Sequence, residues 1–362
     1  MSGSDPALRS GDTSLRSTRA MRGRSLLQRL SGLVAGFGAF LAVTILLAAN
    51  IGAEPVPLAV IVDSLRGRLT GTHASDVQLA YIFWHLRLPR VILGAVVGCA
   101  LTVAGGALQG LLMNPLADPY LVGVSAGAAL GASAAMVLHL EGFAGGAGKA
   151  IIAFAAGAGT MVGVLWLARA RRRVDRDAFI LAGVVVGSFL WALVTLLMTV
   201  AGADLQTVVF WLMGNLYGQV DWAVVGVAAV LVVGGSVALY AYARDLNLLA
   251  LGEEQARQLG VETESLKKAI IVLSAIITAA AVSVSGLIGF VGLVIPHIAR
   301  RLVGPDHRLL LPAAALLGAS FLVWADTLAR AISEMFPVGV LTAVLGAPFF
   351  FYLLKTRPRP SR

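Results

Sequence analysis

The stretch "HLRLPRVILGAVVGCALTVAGGALQG", residues 85–110, opens with Arg87 and Arg90 and then carries no charge from 91 to 110. As a helix, that uncharged part is about 30 Å long, the thickness of a bilayer's hydrocarbon core. The rest of the chain repeats the pattern. Of its 362 residues, 58% are hydrophobic and only 13% charged, and the mean hydropathy is +0.86. A soluble domain carries roughly twice that share of charge, so the composition implies an all-α polytopic membrane protein. The net charge of +9 would suit nucleic acid if it formed a basic face interleaved with stacking aromatics. It sits instead at span ends and in the N-terminal tail, which excludes nucleic acid as an expected partner. The single cysteine, Cys99, lies inside an apolar run, rules out an internal disulfide and reads as a small core residue.

Residues 1–28 are rich in Ser, Gly and Arg, without an apolar period, and predict a disordered basic cytosolic tail. The remainder, 29–362, reads as one transmembrane domain. The run at 33–49 is long for a cleaved signal sequence and more runs follow it, so it reads as an uncleaved first span. Apolar runs then fall near 33–50, 89–112, 119–139, 150–170, 178–200, 222–243, 269–286, 288–301, 310–330 and 338–355, which predicts ten spans. The weak point is 269–301, where Gly286, Gly289 and Gly292 interrupt the run and Pro296 would kink it. Charge distribution arbitrates. With ten spans and both termini inside, all but six of the 28 Lys and Arg fall in cytoplasmic segments, the exceptions being Arg66, Arg68, Arg87, Arg90, Lys149 and Arg330. Fusing the two doubtful spans spoils that partition. The opening arginines are therefore expected to face outward.

Forty-one glycines suit helices that associate through close backbone packing. Spacings of four recur at Gly94 and Gly98, Gly106 and Gly110, Gly123, Gly127 and Gly131, and Gly183 and Gly187. Ionisable residues within the spans are few, Asp326 being nearly alone, whereas a proton- or sodium-coupled carrier places such groups at mid-membrane. The energy for transport is expected from elsewhere, and not from this chain. The nearest approach to a phosphate loop, "FAGGAGKA" at 143–150, has Phe143 for its first glycine and Ala150 for its hydroxyl residue. His73, His85, His139, His297 and His307 are scattered, and no zinc or nucleophile-elbow motif is present. Neither an enzyme nor a cofactor of its own is expected.

The inner segment "RDLNLLALGEEQARQLGVETESLKK", residues 244–268, predicts two short helices over 246–251 and 253–259, with Gly252 as a break and Gly260 as a cap. Apolar Leu248, Leu249 and Leu251 beside Glu253, Glu254, Gln255 and Arg257 make a compact surface piece. An ordinary polar loop with helical turns is the plain alternative; the functional reading is a docking element for a cytoplasmic partner that supplies energy.

Several motifs together resemble one family: "LRLPR" at 86–90, "NPLADPYLVGVSAGAALG" at 114–131, "LALGEEQARQLG" at 249–260, "GFVGLVIPHIARRLVGPDHRLLLP" at 289–312, "ADTLAR" at 325–330 and "LGAPFFFYLL" at 345–354. Over residues 87–354 the chain is similar to the permease subunits of type II ATP-binding-cassette importers for ferric siderophores, haem and cobalamin. The resemblance implies the type II permease fold of ten helices in a bacterial inner membrane. It also implies a homodimer, two separate ATPase subunits that hold ATP and magnesium, and an extracytoplasmic substrate-binding protein. It implies that Leu249, Gly252, Glu253, Glu254, Ala256, Arg257, Leu259 and Gly260 enter a cleft of the ATPase. Arg87, Arg90 and Arg330 would meet acidic residues of the binding protein. The alternatives for these three are anchoring of a helix end at headgroups and, for Arg330, a pair with Asp326 or Glu334 on its own helix face. Asn114, Pro115 and Asp118, with Arg176 and Asp177, would lie at the inner mouth. At that last position the cobalamin permease has small hydroxyl residues, a departure from its pattern. The expected cargo is an iron complex, a ferric siderophore or haem, with cobalamin as the alternative. A stand-alone secondary carrier is the rival of another class.

Overall fold

A computed structural model describes residues 7–52, 54–71, 76–170, 173–217 and 221–355. Side chains are described from Leu26 onward, apart from those of Leu121, Arg169, Ala170, Arg173, Val174, Arg176 and residues 352–354. The expected site residue Arg176 thus has its side chain outside the described part. The helices are α1 (Ala7–Asn50), α2 (Leu58–Thr70), α3 (Val77–Tyr81), α4 (Leu88–Leu111), α5 (Val124–Val137), α6 (Gly148–Leu167), α7 (Arg176–Val200), α8 (Leu205–Leu212), α9 (Trp222–Ala241), α10 (Ala243–Leu249), α11 (Glu253–Gln258), α12 (Thr263–Ser285), α13 (Val291–Val303), α14 (His307–Ile332) and α15 (Val338–Lys355). Two-residue strands β1 (Arg169–Ala170) and β2 (Arg173–Val174) pair antiparallel ahead of α7.

Each of the ten apolar runs contains a helix, although 119–139 is broken at Gly123 into a 3-10 turn and α5. Among the described residues, seven helices are long and apolar enough to cross a membrane, namely Leu26–Asn50, Val77–Leu111, Gly148–Leu167, Asp177–Val200, Trp222–Ala241, Thr263–Ser285 and His307–Ile332. Val124–Val137 and Val338–Phe351 are apolar but shorter. The doubtful 269–301 run is two helices. Gly286, at φ 66°, ends α12, and a Cβ there would collide with the Trp211 carbonyl. Phe290 at φ 68° then starts α13. Backbone from Ala7 is helical and continuous with the first span, through most of the stretch whose composition predicts a disordered tail.

The core is built around α4, which packs against α9, α12, α13 and α14 and is buried along nearly its whole length. Small residues make this possible. A Cβ at Gly105 would strike the Gly292 carbonyl of α13, and one at Gly98 the Gly318 carbonyl of α14. The Thr102 hydroxyl donates across the second seam to the Ala314 carbonyl at 2.8 Å. Gly98 belongs to a four-residue spacing; Gly105 does not. Between α4 and α5, the Tyr120 hydroxyl donates to the Ile288 carbonyl (3.0 Å) and accepts from its N–H (2.9 Å), locking the α12–α13 break to the α4–α5 turn.

Candidate functional site

Three places collect the residues expected to work. The first is the end of the bundle where α1 stops. A helix leaves its last carbonyls without partners, and here arginines supply them. A π-helical segment, Ile82–Arg87, joins α3 to α4 and presents Arg87 and Arg90, three apart, to the same side. Arg87 Nη1 donates to the carbonyls of Ala49 (3.3 Å) and Asn50 (3.1 Å), and its Nη2 to that of Glu54. Arg330, in the last turns of α14, donates to the carbonyls of Ile51 (3.0 Å) and Ala48 (3.3 Å). Asp326 sits between. It accepts Arg90 in a fork, with Nη2 at 2.8 Å and Nε at 3.1 and 3.2 Å, and Arg330 Nε at 3.1 Å. Arg87, Arg90 and Arg330 are each 7% exposed and Asp326 2%. The three arginines expected to face a partner are thus brought together, but buried, with donors engaged inside the chain. The pair of Arg330 with Asp326 is the local alternative read from the sequence.

The second place is the segment 243–268. Helices α10 and α11 fall where Gly252 (φ 121°) and Gly260 (φ 87°) punctuate the chain. Leu249 and Ala256 are fully buried, which holds the pair down. A charge network then fastens α11 to α12: Lys267 Nζ lies 2.8 Å from Glu253 Oε1 and 3.1 Å from Glu264 Oε1, and Arg257 donates to Thr263 Oγ1 at 2.9 Å and to Glu253 Oε1 at 2.5 Å. Glu253, expected to be exposed, is therefore partly covered, while Leu251, Glu254, Gln255, Arg257 and Leu259 form the exposed surface. Helix α10 is tied to the α13–α14 turn. Asn247 Nδ2 donates to Asp306 Oδ1 at 2.6 Å, and its Oδ1 accepts from the His307 N–H at 2.9 Å. Bonds from Arg308 first, then from Asn247, hold the Asp306 carboxyl down at about 2. Sequence reasoning passed over Asn247, Asp306, Glu264 and Lys267. Only Asp306 carried a signal, as an acidic cap before an apolar run; a bond across 59 positions leaves no local trace.

The third place is the turn after α4. Asn114 accepts from the Leu116 N–H at 3.0 Å, Pro115 continues the turn, and Asp118 accepts from the Tyr120 N–H at 2.8 Å to cap a short 3-10 turn. Burial pushes the Asp118 carboxyl up to about 6, although part of the residue stays exposed. Asp177 is exposed on the first turn of α7, beside Asp175, which caps that helix. Helix α7 packs on the 3-10 turn through Gly183 and Gly187, which lie against Gly123, about two turns beyond Asp177. Behind them Gln109, also missed, spans α4 and α13: its amide donates toward the Gly292 and Leu293 carbonyls and its oxygen accepts from Arg300 at 3.4 Å.

Comparison with known proteins supplies the context for these features. The model of the FecCD transport family matches residues 40–356. The cobalamin import system permease protein BtuC of Halobacterium salinarum is 39% identical, over 89% of this chain and 95% of its own. The hemin transport system permease protein HmuU of Yersinia pestis is 40% identical, over 83% and 90%. A solved ABC transporter described as metal-chelate type, in an inward-facing conformation, superposes with a TM-score of 0.78 at 31% identity, covering 90% of this chain and all of that one. On these matches, the chain belongs to the FecCD transport family, a family of polytopic membrane permeases.

Proposed function

We propose that the chain is the membrane-spanning permease of an ATP-driven importer of a metal chelate. Two copies would frame the path, each crossing the bacterial inner membrane ten times with both termini in the cytoplasm. Two separate ATPase subunits would hold ATP and magnesium. The observation that carries this reading is α10–α11, a small rigid surface element fastened to α12 by Lys267 and to the α13–α14 turn by Asn247. A loop without a task has no need of two sets of charged fasteners, whereas an element that passes force must be stiff. Its exposed Leu251, Glu254, Gln255, Arg257 and Leu259 are the surface offered to the ATPase.

At the other end a binding protein would land on the rim above the arginine cluster. There Arg87, Arg90 and Arg330 are balanced by Asp326 and by the nearby carboxylates of Glu54 and Glu334, so the cluster would hold the rim in shape beneath the partner rather than attract it from a distance. For cargo, the iron complex expected from the sequence is in keeping with the haem permease among the relatives. Cobalamin is the second reading, favoured by the relative that aligns over 89% of the chain.

The test is reconstitution of the whole complex in proteoliposomes. Replacing exposed Glu254 with Lys and Leu251 with Asp is expected to lower uptake per ATP hydrolysed several-fold while leaving the permease folded; unimpaired coupling overturns the assignment. Uptake of iron-55 chelates, haem and labelled cobalamin by cells with and without the gene decides the cargo. Loss of cobalamin uptake alone rejects the iron reading.

A further inference from the structure

Helix α2 (Leu58–Thr70) lies in the connection between two bilayer-length helices, Leu26–Asn50 and Val77–Leu111, and is itself too short to cross. One face is accounted for by packing. Ile61, Ser64 and Gly67 are buried, and Ile61 clusters with Ala49, Val56 and Phe83 at the end of α1 and the π-helical segment. The opposite face is apolar as well. Leu58, Val62, Leu65 and Leu69 are 57%, 41%, 41% and 88% exposed. At about 100° per residue these four fall within an arc of about 60°, whose centre is roughly 130° from the buried trio. Arg66 and Arg68 stand about 70–90° to either side of that stripe.

An apolar stripe flanked on both sides by arginine is the pattern of a helix that lies flat in a membrane surface, its aliphatic side chains among acyl tails and its charges at the phosphates. The surroundings agree. Arg68 sits 3.9 Å over the Trp84 ring, Trp222 donates its indole N–H to the Trp84 carbonyl at 3.0 Å, and half-exposed Tyr81 stacks on His85. Tryptophan and tyrosine gather at the headgroup level of membrane proteins. Here they gather beside α2.

We propose that α2 is an interfacial helix whose partner is the lipid surface, with Leu58, Val62, Leu65 and Leu69 sunk among the acyl chains and Arg66 at the phosphate level. It would fix the height at which the arginine cluster stands relative to the bilayer. This assignment needs only that the chain spans a membrane, and it is independent of cargo and of the ATPase.

The experiment uses the full chain with Cys99→Ser and single nitroxide labels at Leu58→Cys, Val62→Cys, Leu65→Cys and Leu69→Cys. Exposed Ala59→Cys and Thr70→Cys, off the stripe, serve as controls. The protein is placed in nanodiscs of phosphatidylethanolamine and phosphatidylglycerol. Collisions with oxygen relative to a water-soluble nickel chelate are expected to be several-fold higher at the four stripe positions than at the two controls. All labels replace exposed side chains, so the packing of α2 is not at stake. Equal access of the nickel chelate at every position means that the stripe faces water, or awaits a soluble partner, and overturns the proposal. Exclusion of both reagents, with dipolar broadening that disappears on dilution with unlabelled chain, means that a second copy covers it and overturns the proposal too.

Discussion

Asp326 receives two guanidiniums at once while only 2% of it is exposed. Replacing it with Asn leaves Arg90 and Arg330 buried without their counter-charge, an error that costs about 3–5 kcal/mol when a buried pair is broken. The expected outcome is a large drop in the thermal midpoint of the detergent-solubilised protein. Arg90→Lys should cost less, about 1–2 kcal/mol, because an ammonium keeps the charge but loses the two-pronged contact. A second carboxylate lacks such partners. Asp118 is raised from its ordinary 3.8 to about 6 by burial, so the fold favours its protonated form. Stability from this group is complete below about pH 4 and declines as pH rises to about 6, by on the order of 2–3 kcal/mol in all. Asp118→Asn, which can still cap the turn, should flatten that part of the stability–pH curve and leave the protein no less stable at pH 7. A variant that keeps the wild-type slope would refute the role given to burial. Asp306, held at about 2, works in the other sense: its contribution is present above pH 4 and is lost toward pH 2.

Helices α10 and α11 show what one element can reveal of itself in advance. Their limits were legible because Gly252 and Gly260 take backbone angles that other residues avoid; their buried face was less so, since of the apolar residues singled out Leu249 is buried but Leu251 is 63% exposed. Their fastenings were not legible, since Asn247 meets Asp306 from 59 positions away. The same holds at the arginine cluster. The motifs marked Arg87, Arg90 and Arg330 as special, but their acceptors are carbonyls at the end of α1, and carbonyls have no sequence signature. A π-helical turn such as Ile82–Arg87 carries none either. If the Asn247 tie matters, Asn247→Ala should cost about 1–2 kcal/mol of stability for the lost bonds and, in the reconstituted complex, lower transport per ATP hydrolysed more than ATP hydrolysis itself. Equal loss of both would reduce Asn247 to a stabilising contact.

Across the molecule, glycine spacing was a partial guide to how the helices meet. It marked Gly98, which rests on Gly318, and missed Gly105, which rests on Gly292. Gly94, from the same pair as Gly98, faces a side-chain tip instead of backbone: a Cβ there would approach Leu216 Cδ1 to a tight 3.3 Å. Gly105→Val is therefore expected to destabilise by about 3 kcal/mol or more, because backbone must move. Gly94→Ala should cost far less, since only the tip of buried Leu216 has to shift by a few tenths of an ångström. Thermal aggregation followed by size-exclusion chromatography distinguishes the two, and equal losses would contradict the packing described. The seams have a mechanical consequence. Where backbone lies on backbone, with the Thr102 hydroxyl tied to the Ala314 carbonyl across one seam, no side chain can turn aside to let the helices part, so α4, α13 and α14 are expected to move as one body. These three helices form a stator, and any change of access between the two sides of the membrane has to be carried as hinge rotation in the helices packed around it.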